Sequence, residues 1–344
     1  MKADKVITIY DIAERLKLAP STISRGLQDN PAVNARTRKK IYDTANEMGY
    51  RFNTFARNLR NQKTNTIGVI VPRLNSYFIS DILAGIEKEL TSSGYNMLIS
   101  QSLELYENEI KYAKAMLHNR VDGLIVNLAA NTADLDHFDE YVRHQIPLLF
   151  VDRVIENDNF SRVVINNAKA GYEMTRHLIE QGCRRIAHLT GNLMRNVYLD
   201  RKLGYQQALQ EYQLAFEPEL VLETDLTEAA CRSAAQHILE LHPRPDAVFV
   251  ANDLAATICM KVFKDAGLSI PGDIAVTGFN NDIISRISAP MLTTINYPGE
   301  EMGKVAARHL INQINGESDK ELTNTIILKS QLVIRESSLK TEKK

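Results

Sequence analysis

The chain has 344 residues, 44% of them apolar, and a net charge of −1. That length exceeds one ordinary domain and can fill two or three cores. No run of about 18 apolar residues occurs, the start MKADKVITIYD has no apolar leader segment, and Cys183, Cys231 and Cys259 lie far apart without metal spacing. A membrane span, secretion and a disulfide scaffold are therefore not expected, and the thiols fit a reducing, cytoplasmic setting.

The first 63 residues stand apart by charge. They hold thirteen Lys/Arg against six Asp/Glu, a net +7, whereas the remainder holds 28 against 36, a net −8. A basic head on an acidic body is the distribution expected when only the head meets phosphate. Three short amphipathic helices fit this stretch. Thr8 with Asp11 makes a capping box ahead of Ile9, Ile12, Ala13 and Leu16. Pro20 suits the first position of a second helix, which buries Ile23 and Leu27 and leaves Ser21, Thr22, Ser24 and Arg25 mostly exposed. Asn34 caps a third helix with Ile41, Ala45 and Met48 inward and Gly49 as its stop. Only Lys17, Leu18 and Ala19 join the first two helices. So tight a turn, with small and cationic groups on the second helix, reads as a DNA-binding helix-turn-helix. A solvated charged helix face accounts for a run such as Arg38-Lys39-Lys40, but not for charge, turn and caps together. Asn53 can cap one further turn, Thr54 to Arg60, too short to be stable alone. DNA and a partner copy would have to hold it.

The run from Thr8 to Leu59 resembles the headpiece and hinge of the lactose-repressor family of bacterial transcription regulators. The matching phrases are T-I-Y-D-I-A (8–13), S-T-I-S-R (21–25), T-R-K-K-I (37–41), G-Y-R-F-N (49–53) and A-R-N-L (56–59). The resemblance implies a hinge helix in the minor groove, with Leu59 wedged into the central base step and Ala56 packed on the partner's hinge. An apolar wedge of that kind offsets its unstacking cost through the contacts the bent DNA permits. DNA contacts are expected from Thr8, Pro20, Ser21, Thr22, Ser24, Arg25, Asn34, Arg38, Asn53, Ala56, Arg57, Leu59 and Arg60. Pro20 and Ser21 differ from the best-known members, so the operator cannot be copied from them.

From residue 65 short apolar strands alternate with amphipathic helices. Strands read at 67–71, 97–100, 123–126 and 148–151, with helices starting near Phe78, Leu105 and Asp134. A second series follows, with strands at 163–165, 186–189, 247–250 and 275–278, a weak one near Val221, and helices starting near Ala168, Asn196, Thr227 and Asn252. Two such series mean two doubly wound parallel-sheet subdomains. A strand at 293–296, a helix over 298–315 and strands at 325–328 and 332–334 complete the chain. The fold class is therefore α/β, with a small all-α headpiece. The expected domains are the headpiece (1–50), the hinge (51–64), a periplasmic-binding-protein-like body (65–337) and a disordered tail (338–344). Within the body, one subdomain takes 65–165 and 296–325, the other 166–295 and 326–337. The three chain crossings between subdomains are implied by the resemblance. The tail lacks an apolar heptad, so a dimer is expected.

Ligands of open α/β sheets bind beyond the carboxyl ends of the strands. The candidates there are Asn75, Tyr77, Phe78, Asn127, Asp152, Asn252 and Asn280, with Arg153 and Asp253 beside them. The resemblance adds Arg201, in the phrase D-R-K-L-G-Y. This set suits a neutral sugar-like effector: Asp152 and Asn252 bridge hydroxyls, Arg201 offers a fork of donors, and Tyr77 or Phe78 stacks on the ring. Phe78 is as readily core, and Asp253 is better read as a helix cap. Two departures from the family stand out. Asn280 replaces an aspartate, and Gly299, with Tyr297 nearby, takes the place of a pocket aromatic. Tyr297 joins the candidates on that ground. No phosphate loop, nucleophile elbow or metal motif occurs, and the eight histidines are scattered. No cofactor and no enzyme activity are expected. The chain reads as a ligand-controlled regulator, more often a repressor than not in this family, and of carbohydrate-use genes. A solute-binding protein and a sugar-modifying enzyme with a fused DNA head are the alternatives.

Overall fold

A computed structural model describes residues 7–50, 63–156, 159–317 and 323–340. The chain divides into two units, Met1–Thr64 and Asn65–Lys344, each taken here by itself. In the first, α1 (Ile9–Leu16), α2 (Pro20–Gly26) and α3 (Ala35–Glu47) enclose a core of Ile12, Ala13, Ile23, Leu27, Val33, Ile41 and Ala45. The Thr8 N–H and hydroxyl both donate to the Asp11 carboxylate, at 2.8 and 2.6 Å. The Asn34 side chain accepts from the Thr37 N–H at 2.8 Å. Lys17 opens the three-residue turn in the left-handed region at φ 53°.

The second unit contains twelve strands among the described residues. They are β1 (Thr66–Val71), β2 (Asn96–Gln101), β3 (Gly123–Val126), β4 (Leu148–Val151), β5 (Ser161–Ile165), β6 (Ile186–Thr190), β7 (Val221–Glu223), β8 (Ala247–Val250), β9 (Ala275–Thr277), β10 (Thr294–Asn296), β11 (Thr325–Leu328) and β12 (Gln331–Val333). The first sheet runs β11-β5-β4-β3-β1-β2 and the second β7-β6-β8-β9, all parallel. Antiparallel β10 and β12 form a separate ribbon. The central strands β3, β4 and β8 are buried along their whole length, as expected when helices cover both faces.

Three expectations change. Residues 163–165, grouped with the second series of strands although the expected bounds 65–165 place them in the first subdomain, belong to β5, which pairs with β4 in the first sheet in agreement with those bounds. The alternating burial of β5 separates it from the continuous apolar strands, but pairing is a long-range choice that local pattern does not specify. The whole of β11 also joins the first sheet beside β5, so the return to the second subdomain falls after Leu328 rather than at 326. The polar end is not all loose. Ser337 and Ser338 are fully buried; the Ser337 hydroxyl accepts from the Thr293 N–H, and that of Ser338 bonds the Thr293 hydroxyl and His177. Residues 341–344 lie outside the described residues.

Each subdomain has one especially close helix pair, made possible by glycines. Helices Tyr77–Ser92 and Gly299–Asn315 cross where Gly85 faces the Glu300 carbonyl and Gly303 faces that of Ile82. Helices Asn167–Glu180 and Asn196–Glu211 cross where Gly171 faces the Arg201 backbone and Gly204 faces the Ala168 carbonyl. A methyl group at any of these sites overlaps backbone that cannot step aside. Gly204→Ala is expected to lower stability by about 1–3 kcal/mol, the usual range for overpacking. Thermal unfolding of the purified variant checks this; an unchanged midpoint would show that the helices separate freely.

Candidate nucleic-acid interface and ligand cleft

In the headpiece, Ile23 and Gly26 turn α2 inward, with Gly26 against the Ile41 side chain. Ser21 and Arg25 are exposed on the other side, and Pro20, Thr22 and Ser24 are half-buried. Small hydroxyls and one guanidinium on a short, well-seated helix can reach base edges and phosphates. Arg38 is partly committed elsewhere: its Nη1 donates to the Asp29 carbonyl at 3.0 Å, and its guanidinium lies 3.5 Å from the Asp29 carboxylate. Thr8 and Asn34 spend side-chain atoms on helix caps, which leaves the exposed helix N-termini as their means of meeting phosphate. Asn53, Ala56, Arg57, Leu59 and Arg60 lie outside the described residues.

The second unit holds a cleft of about 410 Å³ at the carboxyl ends of both sheets. Asn75, Tyr77, Phe78 and Asp152 line it from the first subdomain, Arg201, Asn252 and Asn280 from the second, and Tyr297 from the segment between β10 and the last helix. Phe78 serves as both wall and core, buried and 4.3 Å from the Tyr297 ring centroid. Tyr77 is largely exposed. Asn127 does not line the cleft. It lies buried behind it, with Nδ2 donating to Asp152 Oδ2 at 3.1 Å. The other carboxylate oxygen, Oδ1, accepts the Tyr297 hydroxyl at 2.5 Å. Burial and the Asp152 charge hold the Tyr297 phenol well above its ordinary pKa. Asp152 itself sits in the left-handed region at φ 61°.

Arg201 is the buried cation of the cleft. Its Nε donates to Asn167 Oδ1 at 2.9 Å, its Nη1 donates to the Ala251 carbonyl at 3.0 Å, and its guanidinium lies 3.5 Å from the Phe279 ring centroid. Those contacts fix the fork in place, and stacking offsets part of the cost of burying it. Asn252, not Asp253, caps the helix Asp253–Asp265: its Oδ1 accepts the Ala255 N–H at 2.7 Å, which leaves its amide nitrogen for a ligand. The cap expected of Asp253 is thus one residue early, because Asn252 already has the extended backbone a cap needs. Asn280 sits at φ 110°, a conformation held by backbone bonds with Ile295 and Tyr297.

Among the lining residues that the sequence did not point to are Arg73, Glu104, Tyr198 and Asp225. Glu104 accepts Arg153 Nη1 at 2.6 Å and the Ala130 N–H at 3.0 Å, and lies 3.8 Å from Arg73. Arg153 Nη2 also donates to the Tyr198 hydroxyl across the cleft, at 3.2 Å. The strand-end rule reaches three of these, since Arg73, Glu104 and Asp225 follow β1, β2 and β7 within three residues. Tyr198 lies inside a helix and carries no such signal. Among the described residues, no group of His, Cys, Asp and Glu is placed to hold a metal ion, and no helix is long and apolar enough to cross a membrane.

The model for "Bacterial regulatory proteins, lacI family" matches residues 8–53, and that for "Periplasmic binding protein-like domain" matches residues 175–338. Catabolite control protein A of Priestia megaterium is 32% identical, over 91% of this chain and 94% of its own. The chain belongs to the lacI family of bacterial regulatory proteins. A second relative, the HTH-type transcriptional repressor PurR of Vibrio atlanticus (strain LGP32), is 29% identical over 97% of this chain and 99% of its own. Among solved structures, the Lac repressor dimer bound to operator and the anti-inducer ONPF has a TM-score of 0.85 and 26% identity, covering 98% of this chain and all of that one. This lacI-family member is a DNA-binding transcription regulator and not an enzyme.

Beside the cleft, Asp253 accepts the Asp282 N–H at 2.7 Å and the Thr294 hydroxyl at 2.6 Å. Burial nevertheless pushes its carboxyl from 3.8 up to about 8. Between about pH 4 and 8 the folded chain therefore holds a proton that the unfolded chain releases, so this group's contribution to stability falls as pH rises through that window. Unfolding at pH 5, 7 and 9 should show a shallower loss for Asp253→Asn than for the unaltered protein. Parallel pH profiles would remove Asp253 as the cause.

Proposed function

We propose that this lacI-family regulator acts as a cytoplasmic repressor that binds a pseudo-palindromic operator as a homodimer and is switched by a small, neutral, sugar-like effector. The observation that carries the effector reading is the cleft itself. A fixed guanidinium at Arg201, the amides of Asn252 and Asn280, the latter bonded to the Asp282 carboxylate, and the rings of Tyr77 and Phe78 converge on it. Such a set offers bidentate polar contacts to hydroxyls and flat apolar surface to a sugar ring. The carboxylates lining the cleft oppose an anionic ligand: Asp152, Glu104, Asp225, Glu228 and Asp282 outnumber Arg73, Arg153 and Arg201.

Dimer formation is supported by the edge strand β2, where Leu98 and Ile99 are exposed beside Leu103 and Leu105. In the second subdomain Leu254, Ile283 and Ile287 are exposed as well. The cited Lac repressor structure is a dimer on its operator. Two headpieces then place two α2 helices in successive major grooves. In this reading Leu59, with Asn53, Ala56, Arg57 and Arg60, supplies further contacts to DNA. Effector binding at the cleft shifts the subdomains, and a coupling of about 1–3 kcal/mol suffices to release the operator.

The reading is tested by sequencing genomic fragments retained on the purified protein, followed by a thermal-shift panel of D-glucose, D-galactose, D-ribose, D-xylose, cellobiose and hypoxanthine. A pseudo-palindrome released by one of the sugars is the expected result; binding of hypoxanthine alone would replace the sugar reading with a purine one. Arg201→Lys should weaken effector binding at least about tenfold, equal to roughly 1.4 kcal/mol, with operator affinity unchanged. Arg25→Ala should weaken operator binding and flatten its salt dependence by about one counterion. An Arg25→Ala protein with normal affinity and salt slope would take α2 out of the interface.

A further inference from the structure

The floor of the cleft carries a feature that the effector reading leaves unused. The Tyr297 phenol has a single proton, and the 2.5 Å bond to Asp152 Oδ1 commits it. Asp152 is itself held from behind by Asn127 Nδ2. Tyr297 and Asp152 are 4% and 5% exposed, and both contribute what surface they have to the cleft. The phenol therefore has no proton to give the cleft, and the side-chain donor beside its oxygen is the Asn167 amide, whose buried Nδ2 makes no well-formed hydrogen bond of its own. The Tyr297 ring cannot swing away to reverse this, because Phe78 lies 4.3 Å and Phe279 5.8 Å from its centroid and the Arg201 guanidinium 5.7 Å.

We infer that Tyr297 is a specificity-determining acceptor, oriented by Asp152, which requires the effector to present a hydroxyl or ammonium donor at the cleft floor. Asp152 is then a positioning residue that acts through Tyr297. The carboxylate polarises the phenol, and the phenolic oxygen becomes a stronger acceptor than a free tyrosine offers. A ligand carrying an ether, a carbonyl or no oxygen at that point leaves the buried acceptors unpaired, and an unpaired buried group is costly. This inference rests on the reading of the cleft as the effector site.

Two measurements on the full-length protein test it. The first needs no ligand. The chain has no tryptophan and thirteen tyrosines, so the ultraviolet resonance Raman difference between the unaltered protein and Tyr297→Phe isolates the doublet of one phenol. A doublet of the strong-donor type is expected, and it should relax toward the weak-donor type in Asp152→Asn. A Tyr297 doublet without the donor signature overturns the proposal whether or not a sugar binds. The second measurement titrates each sugar of the panel above, with its deoxy and O-methyl derivatives, into the unaltered protein, Tyr297→Phe, Asp152→Asn and the double variant. One hydroxyl is expected whose O-methylation costs at least about tenfold in the unaltered protein and little in Tyr297→Phe. Asp152→Asn should add little on the Tyr297→Phe background, as coupled residues do. A bound sugar indifferent to Tyr297→Phe, or losses from the two substitutions that simply add, overturns the acceptor role alone. Silence of every sugar in the unaltered protein overturns the effector reading and the acceptor role together. Thermal unfolding of each variant separates loss of binding from loss of fold.

Discussion

The approach of two helices at Gly171 and Gly204 sets the geometry on which the second subdomain depends. The backbone of Arg201 lies against Gly171, so the guanidinium reaches the cleft only because no side chain intervenes. Once there it is fixed by Asn167, the Ala251 carbonyl and the Phe279 ring. A buried cation placed this way is expensive to bring out of water, and its partners are what make the position tolerable. The first subdomain repeats the device with Gly85 and Gly303, which seats the final helix beside Tyr77 and Phe78. Packing without side chains thus brings both walls of the cleft within reach of one small ligand.

Much of this was legible in the chain because the signals are local. Thr8 with Asp11, Pro20 and Asn34 mark the head helices through chemistry that acts within one turn. The apolar runs at 123–126, 148–151 and 247–250 mark buried parallel strands. Where the chain was misread, the deciding contact was distant. Nothing within 161–163 says that these residues pair with 149–151, and nothing within Thr325–Leu328 says that they lie beside β5. Ser337 and Ser338 look like a solvated end until Thr293, some forty residues earlier, supplies their partners.

The cleft shows the same division. The rule that ligands bind beyond strand ends found most of the wall, and it reaches Arg73, Glu104 and Asp225 once applied to the edge strands too. It placed Asn127 wrongly, because a residue after a strand can turn behind the neighbouring loop, as Asn127 does toward Asp152. It also could not say that Asp152 is already engaged by Tyr297, a residue 145 positions later. Side-chain type and position were readable; the direction of each hydrogen bond was not.

The burial of Ser337 and Ser338 has a consequence for how the protein is made. The headpiece closes its core within the first fifty residues and can fold while most of the chain is still being synthesised. The body is sealed from its far end: β11 completes the edge of the first sheet, and β12 with Ser337 and Ser338 completes the second subdomain. Those pairings join residues up to 163 positions apart and must wait for β11, β12 and Ser338 to emerge. A nascent or prematurely ended chain therefore has a head able to meet DNA before it has a cleft able to restrain it. In this protein the reader is built first and its control last.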